Sequence, residues 1–154
     1  MPPVSNRRFS FLAFPRVSFY NWDGDKIMFS AKLIDDQPIV HAPDGSDVRV
    51  LLSLKGGSMA HFELAEGRVS RAVARRSVEE IWCFVNGLGV MWRKLGDYEE
   101  TVRVEAGVCV TIPLGTHFQF RSLGPGPLQA VAITMPPWPG DKEAYFVEGV
   151  WPPK

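Results

Sequence analysis

Cysteine is scarce in this sequence. Its 154 residues hold two, Cys83 and Cys109, and both stand inside apolar runs. That excludes a disulfide scaffold and a cysteine-rich zinc site, leaving the expectation of two packed free thiols. Net charge is also missing, because 17 Lys and Arg cancel 17 Asp and Glu. No global field therefore draws the chain to nucleic acid or to an anionic membrane. No apolar run approaches the roughly eighteen residues of a membrane span, so the chain reads as soluble and cytoplasmic, with neither nucleic acid nor membrane as partner. Histidine is limited to His41, His61 and His117. A G-x-S-x-G nucleophile elbow and a phosphate-cradling P-loop are both absent, and Gly124-Pro125-Gly126 is a turn rather than a dinucleotide fingerprint.

Turn-forming residues are plentiful, with 14 glycines and 13 prolines. Such punctuation suits many short strands better than a few long helices. Runs over 29–34, 48–55, 59–64, 69–74, 80–86, 88–93, 100–104, 108–112, 117–121 and 128–135 predict strands. Between them lie turns such as Ala42-Pro43-Asp44-Gly45, Asn86-Gly87 and Leu95-Gly96-Asp97. The run Ile81-Trp82-Cys83-Phe84-Val85 is apolar on both faces, so it needs cover from the core and from a second layer or subunit. A homodimer is the expected assembly. The alternative for 70–80 is a basic helix, since Arg68, Arg71 and Arg75 recur at helical spacing. Its apolar positions form no continuous stripe, which favours strand.

The expected domain plan has three parts: an N-terminal extension or edge segment over 1–27, a barrel over 28–135, and a Pro- and Trp-rich arm over 136–154. The first part is basic and aromatic, with no acidic residue before Asp23. Pro15 and Arg16 interrupt its apolar stretch, which speaks against a secretory signal. Met28 opens the regular pattern and reads as a possible natural start. The arm cannot hold a sheet interior, because proline lacks the ladder donor. It should lay Trp138, Tyr145, Phe146 and Trp151 over the barrel or over a neighbour.

Glu80-x6-Gly87, followed by Gly107-x5-Pro113-x-Gly115, resembles the two motifs of the cupin superfamily, G-x5-H-x-H-x3–4-E-x6-G and G-x5-P-x-G-x2-H-x3-N. The match covers roughly residues 57 to 122. It implies an all-β fold, the cupin double-stranded β-helix or jelly-roll barrel, with few or no helices. In metal-binding cupins, histidines of both motifs and the glutamate hold a divalent ion. Here the first-motif histidine positions fall on Val73 and Arg75, or on Ala74 and Arg76, depending on the count. The second-motif position falls on Phe118, and Ser122 stands where the family has Asn. Arginine cannot ligate, so no metal cofactor is expected, and Glu80 is the surviving ligand.

Alternation places Glu80, Trp82 and Phe84 on one face of their strand. The candidate ligand-binding residues are Arg75, Arg76, Glu80, Trp82, Phe118, Gln119 and Phe120, with arginine gripping a small polar or anionic molecule. A bland reading pairs Glu80 with Arg75 or Arg76 only to secure a strand end. The metal alternative is a dioxygenase or isomerase using His61, Glu80 and a bulged His117 around one divalent ion. A third reading is a non-catalytic dimeric module with a closed interior. Whether the chain is an enzyme stays open at this stage.

Overall fold

The computed structural model describes the backbone of 19–20 and 26–27, and residues 29–154 in full. Contacts divide the chain into two units, Met1–Ser30 and Ala31–Lys154. In the first, β1 (Phe19–Tyr20) pairs antiparallel with β2 (Lys26–Ile27). The rest of the expected N-terminal segment and Met28 lie outside the described residues.

The second unit is built from β3 (Val40–His41), β4 (Asp47–Leu54), β5 (Gly57–Leu64), β6 (Val73–Arg75), β7 (Glu79–Asn86), β8 (Leu88–Leu95), β9 (Tyr98–Glu105), β10 (Cys109–Ile112), β11 (His117–Ser122), β12 (Leu128–Met135) and β13 (Ala144–Phe146). They form a six-stranded sheet in the order β10-β7-β12-β5-β4-β3 and a five-stranded sheet in the order β13-β6-β11-β8-β9. Every strand pairing is antiparallel. The only helical turn among the described residues is Ile34–Asp36, so the all-β expectation holds.

Two local expectations change. The run 29–34 does not form a strand. Its end closes into the 3-10 turn, with the Asp36 N–H donating to the Leu33 carbonyl at 3.3 Å and that of Gln37 to Ile34 at 3.1 Å. An apolar run becomes a strand only where a neighbour takes its backbone groups. Likewise only Val73–Arg75 of the run around 69–74 joins a sheet as a strand, since Ser70 N–H donates to Phe120 and Arg71 N–H to Asp44. No helix forms there. The arm also contributes β13, a proline-free edge strand paired with β6.

The sheets enclose one core of Leu64, Val73, Trp82, Phe84, Met91, Val104, Ile112, Phe118, Phe120 and neighbouring residues. Trp82 is its hub: Phe62 stacks on it at 4.6 Å between ring centroids, while Phe118 and Phe120 meet it edge-on at 5.9 and 5.3 Å. Such pairs add about 0.5–1.5 kcal/mol each beyond area burial. The β7–β8 hairpin requires its glycine. Gly87 has φ +82°, and a Cβ there would lie 2.2 Å from the Pro127 carbonyl oxygen.

Candidate functional site

The inward residues follow from strand register. Across the six-stranded sheet one row runs Ile112, Glu80, Thr134, Ser58, and the next runs Val110, Trp82, Ala132, Ala60. On the facing sheet Phe118 pairs with Val73 on one side and Arg93 on the other, and Arg93 pairs with Glu100. Residues directly opposite in a ladder share a face, so the fully buried Phe118 shows that Arg93 and Glu100 project inward too. Val73, and with it Arg75 two residues on, occupies that face in β6.

Arg75 and Glu80 meet inside the barrel. Arg75 Nε donates to Glu80 Oε1 at 2.5 Å, and the side chains are only 5% and 1% exposed. Trp82 Nε1 donates to the other carboxylate oxygen, Oε2. Both oxygens of Glu80 thus accept from fixed donors. The Arg75 guanidinium lies 5.0 Å from the Phe118 ring centroid and 4.9 Å from that of Trp138, so planar cation and aromatic faces are placed for cation–π attraction. No hydrogen-bond partner for its two Nη groups is seen among the described residues. Trp138 comes from the arm, where its backbone N–H donates to Ser58 Oγ at 2.9 Å and Ser58 Oγ also meets Thr134 Oγ1 at 2.6 Å.

A second ion pair, absent from the sequence-based candidates, belongs to the same end. Arg93 Nη1 donates to the Thr111 carbonyl at 2.5 Å and Nη2 to Glu100 Oε1. Its buried Nε has no partner among the described residues. Alternation along β8 puts Arg93 on the face of Met91. Trp92, on the opposite face, is as apolar as Met91, so the pattern does not say which face is inward, and only the pairing with Phe118 reveals that Arg93 turns in.

The remaining candidates are dispersed. Phe120 is packed in the core. Gln119 faces outward between Phe118 and Phe120, where its Nε2 donates to the Ser70 and Trp151 carbonyls and its Oε1 accepts from Val150 and Trp151 N–H groups. It clasps the arm rather than lining the barrel. Arg76 is exposed, donates from Nε to the Lys142 carbonyl at 2.9 Å and lies over the Tyr145 ring at 4.8 Å. Arg71 lies over Phe146 in the same manner.

The alternative metal set is not assembled. His61 pairs with Val131, in the row that continues to Cys83, on the sheet face opposite Glu80. It is buried there, and its Nδ1 has no partner among the described residues. Burial, helped by the Arg49 guanidinium, lowers its pKa from the usual 6.5, while Glu63 and Asp35 oppose the shift. His117 alternates with Phe118 and pairs with Lys94, pointing away from the core. His41 bonds Asp47 at an exposed position. Among the described residues no group of three or more His, Cys, Asp and Glu could hold a metal ion. At the positions where cupin ligands converge, the donor chemistry does not fit a divalent ion: Val73 and Phe118 offer no lone pair, Arg75 is cationic, and both Glu80 oxygens are engaged.

A groove of about 460 Å³ lies elsewhere, bounded by Arg71, Ala72, Gln119, Phe146, Gly149 and Trp151 among others. It runs beneath the arm, and its buried amide, Gln119, already has its hydrogen bonds filled by the backbone of the arm and of Ser70.

No protein-family model matches the chain, and no curated protein matches it. Solved structures do. The nucleoside dehydratase Pac13 of Streptomyces superposes with a TM-score of 0.63 at 14% identity, over 80% of this chain and 95% of that one. KdgF from Halomonas sp. gives 0.61 at 15% identity, over 71% and 94%. Oxalate decarboxylase of Lactobacillus farciminis, in a formate complex, gives 0.64 at 18% identity, over 73% of this chain and 34% of that one. At such identities the likeness is one of fold, and the fold is that of the cupin barrel.

Proposed function

We propose that this barrel binds a small polar or anionic molecule at the end where Arg75, Glu80, Arg93 and Glu100 gather, without a metal ion. The observation that carries this reading is the buried Arg75–Glu80 pair at the cupin ligand positions. Its guanidinium keeps two Nη groups for a ligand carboxylate, phosphate or carbonyl, a geometry arginine serves with paired parallel hydrogen bonds. Trp138, 39% exposed, is the cover through which a ligand enters. Comparable occupancy is recorded for proteins of like fold: Pac13 variants with uridine and oxalate decarboxylase with formate.

A second reading, a non-catalytic module, is favoured by the tight filling around Trp82 and Phe118, both 0% exposed. In either case we place the protein in the cytoplasm as a homodimer. Val50 and Leu54 of β4, 60% and 83% exposed, leave apolar surface away from β7 and β10 for the second copy to cover.

A thermal-shift screen of small carboxylates, phosphates and nucleosides separates the two readings. A ligand at one hundred times its Kd stabilises the native state by about 2.7 kcal/mol. The expected hit loses its shift in Arg75→Lys and gains affinity in Trp138→Ala. If no compound shifts the wild type or Trp138→Ala, the closed-module reading replaces the binding one.

A further inference from the structure

The two cysteines, separated by 26 positions in sequence, face each other across β7 and β10. Strand β10 is the edge of the six-stranded sheet and β7 its neighbour. Just beyond the pair, Phe84 N–H donates to the Val108 carbonyl and the Phe84 carbonyl accepts from Gly107 N–H, both at 2.9 Å. With φ +94° at Gly107, this is a bulge in which two residues oppose one and glycine takes the left-handed position. Phe84 therefore occupies a hydrogen-bonded site. Because the two kinds of facing pair alternate, Cys83 and Cys109 form a non-hydrogen-bonded pair, the kind whose Cα atoms stand about 4.5 Å apart with side chains closest. That spacing falls at the short end of what a disulfide spans.

Accessibility and surroundings agree with the spacing. Trp82 and Phe84 turn into the core, so Cys83 and Cys109 project from the outer face, the first partly exposed and the second exposed. Their other polar contacts are long, 3.9 Å from Cys83 Sγ to the Phe84 carbonyl and 3.9 Å from Cys109 Sγ to that of Gly107. A hydrogen bond between the thiols, with a smaller part from burial, raises the Cys83 pKa.

We propose that Cys83 and Cys109 are a reversible redox pair that closes a cross-strand disulfide within one chain when the protein meets a peroxide. The Cys109 thiolate attacks one peroxide oxygen and the O–O bond breaks, leaving a sulfenic acid and, with hydrogen peroxide, one water once the leaving oxygen is protonated. The Cys83 sulfur then attacks the sulfenic sulfur. The S–S bond forms, the S–O bond breaks and a second water leaves, carrying the Cys83 proton. Two thiols are oxidised by two electrons in all, and one peroxide is reduced to two waters. A disulfide on the outer face, where Cys109 is exposed and Cys83 partly so, is readily reopened by a thiol reductant. Closure would pin the edge strand β10 to β7, independently of what the barrel binds.

The test treats the full-length native protein with a small excess of hydrogen peroxide. Expected are joint loss of both thiols to a chromogenic disulfide reagent, an intact mass lower by two hydrogens, a non-reducing peptide map linking Cys83 to Cys109, and recovery of both thiols with dithiothreitol. In Cys83→Ser the same treatment should leave a Cys109 sulfenic acid that dimedone traps. An interchain disulfide, over-oxidation of one cysteine while the other remains a thiol, or thiols that react only after denaturation would each overturn the proposal.

Discussion

Arg75 and Glu80 are joined inside the barrel by a hydrogen bond of 2.5 Å, five positions apart in sequence yet on different sheets. The link ties β6 of the five-stranded sheet to β7 of the six-stranded one at the end where cupins usually assemble ligands. The two charges also lie between Trp82, Phe118 and Trp138, so removing either leaves the other without its compensating charge.

Single replacement, Arg75→Met or Glu80→Leu, should therefore cost about 3–5 kcal/mol, the usual loss when one partner of a buried pair is removed. The double variant should recover most of it, because two apolar side chains need no compensation. Urea denaturation of the four proteins in a cycle measures the coupling. Equal and additive losses would show that the pair contributes only packing.

Acid should weaken the fold through His61. Burial and Arg49 hold its folded pKa below the ordinary 6.5, so between those values the unfolded chain binds a proton that the native protein refuses. Stability is full above about 6.5 and is lost as pH falls towards the lower, folded value. His61→Gln should flatten the denaturant midpoint across that window. An unchanged pH profile in the variant would assign the acid sensitivity to other groups.

Glu143 supplies a second acid-sensitive contact. Burial pushes its carboxyl up, but hydrogen bonds from Ser77 N–H and Oγ and from the Val78 N–H outweigh that and lower it. Its contribution is present above the ordinary carboxylate range and disappears as pH falls through the lower folded value. Glu143→Gln should remove this component and loosen the turn from Gly140 to Glu143, read as faster amide exchange at Ser77 and Val78.

The arm is closely fitted at Gly149. A Cβ there would lie 2.5 Å from Gln119 Oε1 and 2.7 Å from Ala72 Cβ, so Gly149→Ala should cost about 1–3 kcal/mol through overpacking. Limited proteolysis should then cut within 147–154 sooner than in the wild type. Gln119→Ala should produce the same cleavage pattern, since the amide holds Val150 and Trp151.

Metal chemistry should be restorable. Chelator is expected to leave the melting temperature of the wild type unchanged, whereas Val73→His, Arg75→His and Phe118→His together place three imidazoles beside a released Glu80. Titration calorimetry with a divalent transition metal should detect binding to the triple variant. Loss of a metal response from the wild type on His61→Ala or His117→Ala would contradict the register that places those rings outside.

Sequence alone determined the all-β class, most of the strand positions and the two cupin-like motifs. It did so because turns and alternation are local: Gly87 and Gly107 announce reversals by their need for positive φ, and Glu80, Trp82 and Phe84 share a face whatever their neighbours do. It also limited the partner of Glu80 to Arg75 or Arg76. Tertiary structure decided between them, because only pairing with β11 turns Val73 and Arg75 inward and leaves Arg76 at the surface. The same dependence on cross-strand register put His61 behind the sheet, sent Gln119 to the arm and brought Arg93, Glu100 and Trp138 to the site. A strand's period of two says which side chains travel together, and the facing strand decides which way they point.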